Sequence, residues 1–248
     1  MAGHSKWHNI QHRKGAQDKK RAKIFTKLIH ELTVAAKGGD DLSSNPKLRL
    51  AVEKAKSENM PKDTIKRAIE RGAGGNDDNS MQEVRYEGYG PNGVAIIADC
   101  LTDNRNRTAA EVRHAFTKHG GNLGTSGSVA YLFNQKGIIT LTNVAEEDIM
   151  EIALENGAED IITNDDESIS IFTTPDNLED IKNAFNKNGR VPESAESTYI
   201  ADINTNLDFE HAEKLLRLLQ KLEDCDDVQD IYHNADISDD IMKKLNEK

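Results

Sequence analysis

The chain is 248 residues long, 36% hydrophobic and 30% charged, with a formal net charge of −11. That length accommodates one large domain or two to three small ones, with enough apolar residues for a real core. Its best apolar run, Val94-Ala95-Ile96-Ile97-Ala98, falls far short of the ~20 residues that a bilayer span needs, which excludes a membrane-spanning helix. Met1 to His8 lead into further basic residues rather than into the apolar h-region of a secretory signal. Cys100 and Cys225 stand alone without Cys-x-x-Cys spacing, so neither a disulfide framework nor a zinc ribbon is expected. A soluble, cytoplasmic protein is the expectation. The net charge conceals a split: residues 1–75 carry 17 Lys and Arg against 8 Asp and Glu, whereas residues 76–248 carry 15 against 35. A basic head on an acidic body points to a polyanionic partner for the head.

Residues 3–23 hold Lys6, Arg13, Lys14, Lys19, Lys20, Arg21 and Lys23 against the single acid Asp18, with Trp7 among them. Lys and Arg neutralise phosphates, and an aromatic ring between them can stack on an unpaired base. The plainer alternative is a solvated tail with Trp7 packed on the helices. His4, His8 and His12 would align at i, i+4, i+8 on a helix and could ligate zinc. The surrounding lysines and the lack of a carboxylate or thiolate argue against a metal there.

A 3.6-residue period predicts a helix over 16–36, with Ile24, Leu28 and Leu32 in one row and Lys27 among the bases on the other faces. A second helix is predicted to start after Asn45, with Pro46 at its first position and Leu48, Ala51, Val52 and Ala55 as its stripe. A third opens at Pro61, buries Ile65, Ala68 and Ile69, and stops near Gly72. Residues 72–80 read as a linker. A hairpin follows over Val84–Glu87 and Gly93–Leu101, then a helix over Asn106–His119, the glycine loop 120–128 and a short strand Val129–Phe133.

Residues 136–200 alternate as strand, helix, strand, strand, helix: Gly137–Thr142, Glu146–Asn156, Ala158–Thr163, Ser168–Thr173 and Asp176–Asn188. A closing strand is predicted near Ser197–Ile203. This is the split βαβ, ferredoxin-like order. A helix over Phe209–Leu222, a strand over Val228–His233 and a short terminal helix complete the chain. The fold class is α+β, and Asn134-Gln135 and Asn204–Asp208 are short linkers that allow one module to be inserted in another. The domains read as a helical domain with its linker over 1–80, an α/β domain over 81–133 plus 204–248, and the inserted domain over 134–203.

The glycine loop could wrap a phosphate through backbone N–H groups, but it matches neither the P-loop nor the dinucleotide fingerprint. A tight turn is the better account. Arg105 and Arg107 fall in the first turn of a helix, where a positive charge opposes the dipole, so they are candidate anion contacts beside a capping role for Asn104 or Asn106. The acidic stretches 165–167 and 223–227 lack EF-hand spacing and read as solvated faces. No nucleophile–base pair is evident from spacing, so a non-enzymatic role without a cofactor is expected.

Met1-Ala2-Gly3-His4-Ser5-Lys6-Trp7-His8-Asn9-Ile10, Lys20-Arg21-Ala22-Lys23-Ile24-Phe25, Asn59-Met60-Pro61-Lys62, Tyr86-Glu87-Gly88-Tyr89-Gly90-Pro91, Thr102–Thr108 and the 120–128 loop together resemble the YebC family. They run in order through the first 133 residues, and only His8, where many members have Ala or Ser, departs from the pattern. The resemblance implies three domains around a cleft, namely a helical head and two α/β domains with one inserted. It also implies a probable DNA-binding transcriptional regulator, while mitochondrial relatives of the family activate translation. DNA is therefore the expected partner, with the ribosome and its RNA as the alternative. The residues expected to meet nucleic acid are Lys6, Trp7, Arg13, Lys14, Lys19, Lys20, Arg21, Lys23, Lys27, Arg105 and Arg107. No helix-turn-helix, zinc finger or basic zipper is evident in the spacing. A third possibility is a protein-interaction module whose basic head docks on an acidic protein.

Overall fold

The computed structural model describes residues 17–74, 81–164 and 166–246, with their side chains except those of residues 17–22 and 246. Three helices come first: α1 (Gln17–Ala36), α2 (Pro46–Ser57) and α3 (Lys62–Ala73). Leu28, Leu32 and Ala36 of α1 meet Leu48, Ala51, Val52 and Ala55 of α2 and Ile65 and Ala68 of α3 in one apolar cluster. Ile24, expected in the same row, is 38% exposed. An i, i+4 row drifts by about 40° per step around a 3.6-residue helix, so a row spanning 24 to 36 cannot keep every member in one groove.

Asn45 explains how two of these helices join. Its Oδ1 accepts from the Leu48 backbone N–H at 3.0 Å, capping α2, while its Nδ2 donates to the carbonyls of Ala35 at 2.8 Å and Gly39 at 2.7 Å. One buried side chain thus satisfies orphan groups at the end of α1 and the start of α2. Gly72 lies in the last turn of α3, which ends at Ala73, next to the expected stop. A Cβ there would collide with the Thr33 carbonyl oxygen and the Ala36 Cβ, so glycine is what lets α3 lie close on α1. The rest of the expected linker, residues 75–80, lies outside the described residues.

Strands β1 (Gln82–Tyr89) and β2 (Ala95–Thr102) form the expected hairpin, antiparallel from Gln82↔Thr102 to Tyr89↔Ala95. Asn92 and Gly93 turn it with φ of 56° and 76°, the left-handed region that Asn and Gly enter most cheaply. Helix α4 (Arg105–Lys118) and the short β3 (Asn122–Leu123) follow. β3 pairs with β1 at Gly88↔Leu123, where a Cβ on Gly88 would strike the Asn122 carbonyl oxygen at 2.7 Å.

Residues 131–204 form a compact unit of their own, built from β4 (Phe133–Leu141), α5 (Glu146–Glu155), β5 (Ala158–Thr163), β6 (Ile169–Thr173), α6 (Leu178–Lys187) and β7 (Ser194–Ala201). The sheet order β5-β6-β4-β7 is antiparallel throughout, which is the ferredoxin-like arrangement. Ile139, Leu141, Ile149, Ile169, Ile171, Ile181 and Phe185 fill its core.

Two local expectations are corrected in this region. Residues 130–132 form a 3-10 turn rather than part of a strand, and Asn134-Gln135 lies inside β4 rather than in a linker. Their polar side chains are held across the sheet. Asn134 Nδ2 donates to both Asp202 carboxylate oxygens at 2.8 Å, and Gln135 Nε2 to Ser197 Oγ at 3.1 Å.

The chain then returns through β8 (Thr205–Asn206), α7 (Phe209–Glu223), β9 (Val228–His233), β10 (Ala235–Asp236) and α8 (Asp239–Asn246). β9 completes the first sheet in the order β3-β1-β2-β9. Tyr86, Ile96, Ala98 and Cys100 of that sheet pack against Val112, Ala115 and Phe116 of α4 and Leu215, Leu218, Leu219 and Leu222 of α7. Among the described residues no helix is long and apolar enough to cross a membrane.

Candidate nucleic-acid interface

The basic residues of the head divide into three groups. Lys6, Trp7, Arg13 and Lys14, together with His4, His8 and His12, lie outside the described residues. Lys19, Lys20 and Arg21 sit on the first turns of α1, and their side chains are not described. Lys23 and Lys27 face the body. The Lys23 ammonium pairs with the Asp224 carboxylate, and the Lys27 ammonium donates to the Gln229 carbonyl at 3.4 Å. Burial holds the Lys27 pKa below the ordinary lysine value, against the pull of Asp230 and Glu223 in the other direction. In this structure both ammonium groups are engaged within the chain, Lys27 desolvated and Lys23 in an ion pair that stays partly open to solvent. Exposed bases of the head that the sequence reading did not single out are Lys47 and Lys56 on α2 and Lys62, Arg67 and Arg71 on α3. The signal for them was present, as polar positions opposite each apolar stripe.

Arg105 and Arg107 enter α4 behind the Asn104 cap, whose side chain accepts from the Arg107 backbone N–H at 3.1 Å. Arg105 is exposed, and its carbonyl accepts from the Tyr86 hydroxyl at 3.1 Å. Arg107 is a structural clamp. Its Nη2 donates to Asp227 Oδ2 at 2.9 Å and to Asp103 Oδ1 at 3.0 Å, so the mild cost of an arginine at a helix start is offset by carboxylates of the chain itself. Asp227 corrects the reading of 223–227 as a solvated face. Its residue is 5% exposed, and it also accepts from Thr108 Oγ1 at 2.7 Å and Thr102 Oγ1 at 3.2 Å. Burial alone would push the Asp227 pKa up, but the Arg107 and Thr108 hydrogen bonds, the Arg107 charge and the Thr102 hydroxyl outweigh it and hold it below the ordinary carboxylate value.

The end of the glycine loop and the two residues that follow it do cradle an anion, and the anion is Glu87. Glu87 Oε1 accepts from the Gly127 N–H at 2.7 Å, and Oε2 from those of Val129 at 2.9 Å and Ala130 at 2.8 Å. Burial pushes the carboxyl upward, but these three donors and the Arg85 charge hold its pKa below the usual glutamate value. These backbone donors are therefore committed to the side chain of a neighbouring strand, which favours the tight-turn account over an external phosphate. A cue was present in the sequence, since Glu87 lies in a strand between Tyr86 and Gly88, where a charged side chain on a packed sheet needs partners.

Between α1 and the α4/α7 side of the body lies a groove of about 680 Å³, lined by His30, Asp103, Arg107, Glu111, His114 and Asp224 among others. Burial lowers the His30 pKa, against Asp227, Asp103 and Asp226, which raise it. Among the described residues no group of three or more His, Cys, Asp or Glu side chains is arranged to hold a metal ion.

Comparison with known proteins decides the family. The profile described as the TACO1/YebC protein N-terminal domain matches residues 5–75, and that of the TACO1/YebC second and third domain matches residues 81–235. The chain belongs to the TACO1/YebC family. A TACO1/YebC relative from Serratia proteamaculans, named "Probable transcriptional regulatory protein", is 58% identical over 247 residues, covering 99% of this chain and 100% of the relative. A relative of the same name from Coxiella burnetii is 59% identical over 244 residues, covering 98% of this chain and 100% of its own. Among solved structures, a conserved hypothetical protein from Aquifex aeolicus has 45% identity and a TM-score of 0.80, covering 92% of this chain and 95% of that one.

Proposed function

We propose that this chain is a non-catalytic, cytoplasmic regulatory protein that binds DNA through phosphate contacts of its helical head. The observation that carries the reading is the charge split, 17 basic against 8 acidic residues in 1–75 and 15 against 35 beyond. A head of that sign is drawn to a phosphate backbone, and each neutralised phosphate releases condensed counterions. The names of the TACO1/YebC relatives support a role in transcription. Binding of this kind is governed by the backbone rather than by base edges. In support, α2 and α3 each pack mainly on α1 rather than as the paired helices of a helix-turn-helix.

A second reading, binding to structured RNA of the ribosome, is favoured by the body. A surface with 20 more acids than bases resists lying along a duplex, whereas a small basic head can enter a narrow phosphate-lined site. Fractionating a cell lysate on a sucrose gradient separates the two. DNase-sensitive association with chromosomal DNA is the outcome that the first reading expects. Co-migration with ribosomes that survives DNase overturns it in favour of the second, and association with neither overturns both.

A further inference from the structure

The polar face of α1 lies against an acidic segment of the body, and this suggests how access to it is controlled. Lys23, Thr26, Lys27 and His30 follow one another at i, i+3, i+4 and i+7, on the side of α1 opposite the buried Leu28 and Leu32. Against them lies the body segment Glu223-Asp224-Cys225-Asp226-Asp227-Val228-Gln229-Asp230, with five acids in eight residues. Asp224 pairs with Lys23, the Gln229 carbonyl accepts from Lys27, Asp230 and Glu223 act on the Lys27 charge, and Asp227 and Asp226 act on His30.

Two further observations bear on how firmly this contact is held. Among the described residues the apolar cores of the head and of the body are separate clusters, with no continuous apolar seam between them. The contact is also incompletely satisfied. His30 Nδ1 and Gln229 Nε2 are both buried without a hydrogen-bond partner among the described residues, and the desolvated Lys27 ammonium donates to a backbone carbonyl at 3.4 Å. Buried polar groups in that condition raise the free energy of the docked state, and polar contacts between domains are the ones that open most readily.

We propose that segment 223–230 is an internal polyanion, a latch that competes with nucleic acid for the lysine face of α1. The proposal rests on the nucleic-acid reading of the head and adds its regulation. In the docked state Lys23 and Lys27 are withheld; when the latch opens, that face becomes available to phosphates. Apparent affinity is then the intrinsic affinity scaled by the fraction of molecules with the latch open.

The test is the double variant Asp224→Asn/Asp230→Asn in the full chain, against a control of equal charge change, Glu147→Gln/Glu151→Gln on the exposed face of α5. Binding to a short fluorescent duplex and to an RNA hairpin is measured by anisotropy, and hydrogen exchange of residues 23–30 is followed without nucleic acid. The latch predicts about three- to tenfold tighter binding for the first variant, the range of one or two exposed ion pairs. It also predicts faster exchange along α1, with neither change in the control. Equal tightening in both variants overturns the latch and leaves the nucleic-acid reading standing. Faster exchange without tighter binding overturns the competition. Absence of binding by the parent and both variants overturns the nucleic-acid reading and the latch with it.

Discussion

Replacing Glu87 with Gln tests whether a carboxylate organises the glycine loop. The native side chain accepts three backbone N–H donors at 2.7, 2.9 and 2.8 Å and is 4% exposed. A glutamine offers one acceptor oxygen. Placed toward Val129 and Ala130, it turns its amide N–H against the Gly127 N–H, so one bond becomes a donor–donor contact and two lose their ionic strengthening. Charge-assisted bonds contribute about 1.5–3 kcal/mol each and neutral ones about 0.5–1.5. Partial exposure of the loop and local relaxation reduce the total to about 2–4 kcal/mol. At about 2–4 °C per kcal/mol for a chain of this size, the variant should melt roughly 5–15 °C below the parent. Amide exchange at Gly127, Val129 and Ala130 should accelerate by about tenfold or more.

The pH dependence has a definite sign. The folded-state pKa is depressed, so the stabilisation is complete above the unfolded value of about 4.3 and is lost as pH falls through the folded value. The difference between parent and variant should shrink in acid. Equal melting temperatures at neutral pH, with unchanged exchange in the loop, would refute the assignment.

Three other outcomes follow from the same reasoning. Arg107→Gln leaves buried Asp227 without its guanidinium. With Arg107 itself half exposed, the loss should be about 1–3 kcal/mol by urea unfolding, vanishing as pH falls through the depressed Asp227 pKa. Gly72→Ala should destabilise the head by about 1–3 kcal/mol, despite a helix-propensity gain of about 1 kcal/mol, because α3 must lift from Thr33 and Ala36; unchanged stability of helices α1–α3 would contradict that. Arg105→Ala should leave melting unchanged, since the Tyr86 hydroxyl bonds its backbone carbonyl, and a marked loss would make its side chain structural.

Elements governed by local chemistry were legible in the sequence. Asn45-Pro46 marked the start of α2, Ala158–Thr163 and Val228–His233 were predicted with their observed bounds, and the ferredoxin-like order followed from alternating periods. Features that depend on distant partners were not. Glu87 is 40 to 43 residues from the amides that it holds, and Asp227 is 120 from Arg107. A glycine loop read alone suggests a phosphate site, and an acidic run read alone suggests solvent. Asn134-Gln135 looked like a linker because polarity signals a loop, whereas Asp202 and Ser197 on the paired side of the sheet give those side chains partners. The lysine row of α1 was visible as charge, and only the fold brings segment 223–230 against it.

The central claim is that the helical head grips phosphates, and the most direct measurement is the salt dependence of nucleic-acid binding. The full chain and its Lys19→Ala/Lys20→Ala/Arg21→Ala variant would be titrated against a short duplex and an RNA hairpin over a range of salt concentrations. Each phosphate contact contributes about −0.9 to the slope of log K against log salt on duplex DNA. If the three bases each cover one phosphate, the variant should bind more weakly and lose up to about 3 units of slope. A variant that binds with the affinity and slope of the parent would contradict the account, and the head would then have to be assigned another partner.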